Sequence, residues 1–202
     1  LLCLVVLYSS FLTYKMDSPL FGTSDTLSGA WGIAAWNWLI HGPLELKFGV
    51  MTTISNAWQP EITKGLFVEH PSFFIAPTAL AYWLFGVGEW QTRLSPIIFS
   101  LLSLVVFWML VKRVFKTPWL TVLSSVFYIL FPMGIFYGRM LNPEPFVLFF
   151  ILSLLLAAVL FEERRQDRYL VAMCVLTFLG GLMDWPAILA AASTWWYVAL
   201  KT

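Results

Sequence analysis

The sequence predicts an all-α fold, a polytopic membrane helical bundle. Hydrophobic residues make up 60% of the 202 residues, charged residues only 11%, and the mean hydropathy is +0.81. A soluble domain has about 25% charged residues, so this much apolar surface requires lipid as its solvent. The basic residues form no stripe typical of nucleic-acid binding, so no nucleic-acid partner is expected.

The order of apolar and mixed segments divides the chain. Residues 1–14 are predicted to be the remnant of a first membrane helix, and residues 15–93 a long first outer loop that contains interfacial helices. Because the chain opens without Met and closes without a terminal domain, we expect residues 1–202 to be the N-terminal transmembrane module of a longer protein, a fragment whose C-terminal part is absent. Residues 94–200 carry the predicted transmembrane helices, which are Leu94–Val111, Trp119–Ile135, Phe146–Phe161, Tyr169–Met183 and Pro186–Leu200.

Smaller features refine these elements. Pro118 and Pro186 fall near the first turns of their helices, where a missing N–H costs least. Cys3 and Cys174 lie in apolar runs and are expected to be small buried thiols, which indicates neither a disulfide framework nor a metal cluster. The run "SFFIAPTALAYWLFG" (72–86) is short for a span and contains Pro77, so we expect it to lie on or dip into the membrane surface.

The positive charges predict the orientation of the bundle. The basic clusters at 112–116 and 162–168 are expected in the cytoplasm. Residues 15–93 and the loop at 136–145 then lie outside, or in a lumen. This orientation places seven charged or titratable residues on one face, namely Asp25, His70, Glu89, Arg93, Arg139, Glu144 and Asp184.

Several of these residues have an ordinary structural interpretation. Glu89 and Arg93 are spaced i, i+4 and could pair on one helix. Asp184, just before Trp185 and Pro186, is typical of a helix cap.

Two further structural interpretations stay open. Asp25 could cap the helix predicted for "LSGAWGIAAW", and an arginine near the surface can extend to phospholipid headgroups. The trio Arg139, Asn142 and Glu144 favours a functional site, because Pro143 and Pro145 fix the backbone of their loop.

Three stretches in order carry a resemblance to a known family. They are "TSDTLSGAWGIAAWNWLIHG", "EHPSFFIAPTALAYWLFGVGEWQTRLSPIIFSLLSLVVFWMLVKRVF" and "YGRMLNPEPFVLFF". Together they resemble the GT-C superfamily of membrane glycosyltransferases, of the protein O-mannosyltransferase and aminoarabinose transferase type. The chain departs from that pattern where Thr26 follows Asp25 in place of a paired Glu, and where His70 precedes Pro71-Ser72 in place of two prolines.

The resemblance implies a multi-pass enzyme that takes a sugar from a polyprenyl- or dolichyl-phosphate donor held in membrane lipid. It implies transfer at the outer or lumenal face, usually with inversion, to a hydroxyl of a glycan, lipid or protein acceptor. No cofactor is firmly implied and no metal ligand set is predicted; a divalent cation, Mg²⁺ or Mn²⁺, shared by Asp25 and Glu144 stays open.

The chemistry of this transfer assigns roles to the polar residues. A carboxylate must take the acceptor proton, and Asp25 is the expected base, with Glu144 as the second catalytic carboxylate. Cations must meet the leaving phosphate. The expected phosphate-binding residues are Arg93, Arg139 and His70, and the expected substrate-binding residues are Asn37 and Asn142.

An alternative of another class is a non-catalytic membrane scaffold or a lipid or solute transporter. A transporter favours charges within the spans, broken helices and internal repeats. The predicted spans are free of charge and no repeat is evident, so the enzyme interpretation is preferred.

Overall fold

The computed structural model describes residues 1–20, 22–52 and 70–201, with the side chains of residues 22–24 left out. These residues form an all-α membrane helical bundle, as the composition predicts. A short 3₁₀ helix, Phe73–Ile75, precedes α3. The α-helices of the described residues are α1 Leu2–Thr13, α2 Gly22–His41, α3 Ala76–Phe85, α4 Glu89–Phe115, α5 Pro118–Leu130, α6 Pro132–Gly138, α7 Pro143–Arg164, α8 Asp167–Met183 and α9 Trp185–Lys201.

Helices α4 and α7 form the centre of the bundle, and both are long and apolar enough to cross a membrane. They pack against each other, with α1 and α5 on the side of α4 and with α8 and α9 on α7. Their last turns meet in an ion pair between Arg113 and Glu163, so the two helices run parallel. The two basic clusters therefore lie at one end of the bundle, as the charge pattern predicts.

The segment between α4 and α7 returns along the bundle as a broken helix. The sequence predicts one continuous span over Trp119–Ile135, and this prediction is wrong in one respect: α5 ends at Leu130 and α6 begins at Pro132, at an angle of 61°. Proline has no N–H and its ring clashes with the preceding turn, so a helix readily breaks there. Counted as one, this pair brings to three the segments among the described residues that are long and apolar enough to cross a membrane.

Helices α8 and α9 contain 17 residues each, and the expectation that each crosses the membrane stays a prediction. Helix α8 packs closely against both α7 and α9 because Gly180 has no side chain. A Cβ atom there would lie 3.0 Å from the Cβ of Phe150 and 3.2 Å from the Cβ of Ala187. Pro186 lies in the first turn of α9 and Pro118 begins α5, as predicted.

The two cysteines are exposed on the bundle surface, which corrects the expectation that they are buried. An apolar run in a membrane protein can face lipid instead of protein, so apolar neighbours alone do not predict a buried thiol.

Helices α2 and α3 close one end of the bundle. They pack against each other, and α3 also packs against α4, over a core that includes Trp38, Phe74, Leu141 and Phe146. α3 and the 3₁₀ helix form one short apolar unit that does not meet the length of a span, and its place at the membrane interface stays a prediction. Residues 53–69 of the predicted outer loop lie outside the described residues.

Candidate active site

Arg93 is the most deeply buried charged residue of this end, with its side chain only 2% exposed. It lies in the second turn of α4. Its Nη1 donates to the carbonyl oxygens of Met16 at 2.7 Å and Ser18 at 2.6 Å. Its Nη2 lies 3.4 Å from Oδ2 of Asp25. The guanidinium therefore holds both the link from α1 to α2 and the carboxylate of Asp25.

Asp25 lies in the first turn of α2, which begins at Gly22, so it does not precede the helix as the cap interpretation expects. A carboxylate in this position is favoured by the positive end of the helix dipole. Its side chain is 26% exposed, so Asp25 is paired with Arg93 and still reachable from outside. The ion pair shown for Arg93 is with Asp25, 68 residues away, and not with Glu89 on its own helix.

Arg139 directly follows α6 and approaches the same link from the other side. Its Nη1 donates to the Tyr14 carbonyl at 2.7 Å and its Nη2 to the Lys15 carbonyl at 3.3 Å. Burial is the main cause that lowers the pKa of Arg139; the charge of Arg93 lowers it further, and that of Asp25 raises it. The three charges therefore lie within electrostatic reach of one another.

The loop before α7 is fixed to α2 by two hydrogen bonds. Oδ1 of Asn142 accepts from Nε1 of Trp31 at 3.1 Å, and the backbone N–H of Leu141 donates to Oγ of Ser28 at 3.2 Å. Asn142 stands at the cap position of α7 but makes no capping hydrogen bond with its side chain. Asn142 therefore joins α2 to α7 and positions Glu144, which lies two residues further along.

Glu144 is exposed in the otherwise largely buried first turn of α7 and lines a cavity of about 600 Å³. The cavity follows the break between α5 and α6, and three of its large apolar residues are exposed on the bundle surface: Phe127, Phe131 and Met133. Hydroxyl groups of Tyr8, Ser100 and Tyr137 also line it. It is thus an apolar groove that opens sideways and ends at a carboxylate.

His70 contacts Asp184, and nothing in the sequence indicates that these two residues pair. Nδ1 of His70 lies 2.9 Å from Oδ1 of Asp184, and the same oxygen accepts the backbone N–H of Trp185 at 2.8 Å. Asp184 therefore does stand at the start of α9, as predicted, and binds the histidine as well. Asp184 also lies close enough to Glu144 for their charges to interact.

Asn37 is fully buried, and its Nδ2 donates to the Met51 carbonyl at 2.7 Å. Nε1 of Trp38 donates to the Gly49 carbonyl at 3.0 Å. Both side chains hold the segment after α2 against that helix. The structure thus gives Asn37 a structural contact, and its role in substrate binding stays a prediction.

The charges form two groups at this end. Asp25, Arg93 and Arg139 surround the link between α1 and α2, while Glu144 and Asp184 lie near each other, with His70 on Asp184. Across the described ranges there is no group of three or more His, Cys, Asp or Glu side chains that could hold a metal ion. The chemistry available here is a carboxylate base, arginine donors for an anion and an apolar groove.

These features define a class: a helical membrane protein with a polar site at one end of its bundle and an apolar groove, open at the surface, beside it. Comparison with known families makes this specific. Residues 69–202, about two thirds of the chain, match the family model described as dolichyl-phosphate-mannose-protein mannosyltransferase. The chain belongs to this family of membrane glycosyltransferases.

The match includes His70, Arg93, Arg139, Asn142 and Glu144, whereas Asp25 and Asn37 precede it. The aminoarabinose transferase type stays a prediction. No curated protein and no solved structure matches the chain.

Proposed function

We propose that the chain transfers a sugar from a polyprenyl or dolichyl phosphate to a hydroxyl group, with Asp25 as the base. Membership of the mannosyltransferase family supports the reaction class. The observation that carries the residue assignment is the convergence of Asp25, Arg93 and Arg139 at one end of the bundle. A proton acceptor and cations for a leaving phosphate are the groups that this reaction requires.

In the proposed step, the Asp25 carboxylate takes the proton of the acceptor hydroxyl. The hydroxyl oxygen then forms a bond to the anomeric carbon, on the face opposite the phosphate. The bond from that carbon to the phosphate oxygen breaks, and its electron pair leaves with the lipid phosphate. The anomeric carbon is thereby inverted, and no further reactant is needed.

Arg139 is the proposed contact for the donor phosphate. Arg93 is almost completely buried and holds two carbonyl oxygens as well as Asp25, so its proposed part is to position the base beside the phosphate. A guanidinium has five N–H donors, and the two carbonyl contacts of Arg139 use two of them. Arg139 can thus hold the backbone and a phosphate oxygen together.

The groove along the broken helix is the proposed place for the polyprenyl chain. Gly138 lines it and is followed directly by Arg139, so a lipid tail in the groove brings its phosphate toward the arginine. Glu144, at the end of the groove, is proposed to hold hydroxyl groups of the transferred sugar or of the acceptor. The proposed substrate-binding residues are Asn142 and Asn37, and His70 is proposed as a further contact for the donor phosphate. Each of the three also makes a structural contact.

The proposed acceptor is a hydroxyl of a protein, a lipid or a glycan, and the proposed active face is the outer or lumenal one. The end of the bundle opposite the two basic clusters carries Asp25 and Arg93, which supports this side.

The test is sugar transfer from radiolabelled dolichyl-phosphate mannose, in membranes that contain the full protein. Loss of a general base costs about 10²–10⁴ in rate, so we expect Asp25→Asn to lower transfer by at least about 100-fold while the donor still binds. The matched control is Asp17→Asn, an exposed aspartate in the same link between α1 and α2. Native-level transfer by Asp25→Asn would exclude Asp25 as the base and make Glu144 the next candidate.

A further inference from the structure

A second cavity of about 710 Å³ lies between α2 and the start of α4, on the Asp25 side of the bundle. This volume is within the range of sites that enclose a small ligand, about 300–1,000 Å³. The cavity is separate from the groove beside Glu144, with which it shares no lining residue. Its lining residues include Gly29, Gly32, Trp36, Tyr82, Glu89 and Thr92.

One face of α2 leads from the base into this cavity. Gly29 follows Asp25 by four residues, and Gly32 and Trp36 continue at helical spacing, so all four lie on one side of the helix. A Cβ atom at Gly29 would meet nothing within 4 Å. The wall is therefore open next to Asp25.

The opposite wall of the cavity includes the start of α4, which also leads away from the ion pair into the cavity. Arg93 contacts Asp25, and Glu89 lies one turn earlier on the same side of α4. A Cβ atom at Gly32 would lie 2.8 Å from the Tyr82 hydroxyl and 3.5 Å from Cγ2 of Thr92, so a larger residue at 32 would displace this wall. The cavity thus runs as a cleft to Trp36 and Glu89 from Gly29, one turn after Asp25, and from Thr92, the neighbour of Arg93; the ion pair itself does not line it.

The lining groups favour a neutral ligand that carries hydroxyl groups. Glu89 is exposed, and its carboxylate accepts hydrogen bonds but repels a phosphate. Oγ1 of Thr92 donates to the Gly88 carbonyl at 2.8 Å, and the Tyr82 hydroxyl lies 2.5 Å from the same oxygen. Both hydroxyl protons are thus engaged, and the two oxygens face a ligand as acceptors. Trp36 adds an aromatic ring, whose negative face attracts weakly positive C–H groups. Carboxylate, hydroxyls and an indole are together suited to the O–H and C–H groups of a sugar ring.

We propose that this cleft binds a neutral sugar ring and presents it to the Asp25–Arg93 pair. The inference rests on the proposed transferase function and names the place of one substrate group. The ring has two sources with the same chemistry: the sugar that the donor carries, or a sugar of a glycan acceptor.

The test fills the cleft with Gly29→Leu. No native contact is displaced at Gly29, and leucine is a better helix former than glycine, so the variant is expected to fold. The matched control is Leu27→Trp, which adds bulk to α2 on its opposite, exposed side, where Leu27 is 49% exposed. Three probes are measured on the full protein in nanodiscs: dolichyl-phosphate mannose, dolichyl phosphate without sugar, and a soluble mannose oligosaccharide.

If the cleft holds the donor sugar, Gly29→Leu weakens binding of dolichyl-phosphate mannose at least tenfold and leaves dolichyl phosphate unchanged. If it holds an acceptor sugar, both lipids bind as before and the Kd or KM of the oligosaccharide rises at least tenfold. Glu89→Gln, which keeps the shape of the side chain, is expected to weaken the same probe about threefold or more. It also provides the test if Gly29→Leu does not fold.

Unchanged binding of all three probes in both variants would overturn the proposal. If the native protein binds neither dolichyl lipid, the transferase proposal fails instead. The proposal for the cleft is then tested with the oligosaccharide alone. It is supported if the native protein binds the oligosaccharide and Gly29→Leu weakens that binding. It is refuted if the native protein does not bind the oligosaccharide, or if Gly29→Leu binds it equally well.

Discussion

Replacement of Arg93 by methionine tests whether this residue holds the active-site end together. Methionine has a similar length and no donor, so the carbonyls of Met16 and Ser18 and the carboxylate of Asp25 all lose their partner. Hydrogen bonds to a charged group contribute about 1.5–3 kcal/mol each. Removal of one partner from a buried charged group costs about 3–5 kcal/mol, and we expect a loss of free energy of unfolding of this size.

The measurement is thermal unfolding of the full protein in nanodiscs. For a chain near this length, 1 kcal/mol lowers Tm by about 2–4 °C, so Arg93→Met should unfold roughly 10 °C below the native protein. Arg139→Met is the matched control, because Arg139 also holds two carbonyls of the same link but is only partly buried. Solvent reduces such a contact to about 1 kcal/mol or less, which corresponds to a few degrees.

Equal melting temperatures for Arg93→Met and Arg139→Met would refute the reasoning, because it depends on the difference in burial between the two arginines. Asp25→Asn provides an internal check. Asparagine keeps an oxygen that can accept from Nη2 of Arg93, and the two carbonyl contacts of Arg93 remain, so this variant should melt well above Arg93→Met. The predicted loss of sugar transfer in Asp25→Asn would then result from the missing base and not from unfolding.

Two further predictions concern the donor and the packing of the bundle. Arg139→Met should weaken binding of dolichyl phosphate about tenfold or more, because a charge-assisted hydrogen bond is lost. The control is Arg113→Met, at the other end of α4, which should leave this binding unchanged. Equal effects of the two variants would show that Arg139 does not bind the phosphate. Gly180→Val should lower the free energy of unfolding by about 1–3 kcal/mol through overpacking, since its Cβ would press on Phe150 and Ala187. In Gly181→Ala the new Cβ meets only the side chain of Ile188, at 3.3 Å, so this variant should lose less free energy of unfolding in the same melting experiment. A larger loss for Gly181→Ala than for Gly180→Val would contradict the packing argument.

Local patterns in the sequence predict the helices well and their ends less well. The runs 94–111 and 146–161 lie inside α4 and α7, which extend to Glu89–Phe115 and Pro143–Arg164. The extensions are polar, and hydropathy does not count them, although helices continue there. The break before Pro132 lies in a uniformly apolar run, so hydropathy gives no sign of it; the proline is the signal that indicates it.

The candidate site shows where sequence reasoning stops. The residue types and their common end of the bundle are predicted from charge and orientation. The partners are not, because Asp25 and Arg93 are 68 residues apart and His70 and Asp184 are 114 apart. Spacing within one helix favours the pair of Glu89 with Arg93, whereas tertiary packing brings Asp25 to the arginine instead.

The broken helix also has a consequence for how the chain is assembled during synthesis. Carbonyl groups near a break need donors, since lipid offers none. Two of them are met by hydroxyl groups: Tyr8 donates to the Gly134 carbonyl at 3.1 Å and Ser100 to the Gly138 carbonyl at 2.8 Å. Both donors precede α6 in the chain, so they are already in the bilayer when the break emerges from the ribosome. The order of residues therefore lets both of these α6 carbonyls meet their donors when α6 arrives, without waiting for any later helix.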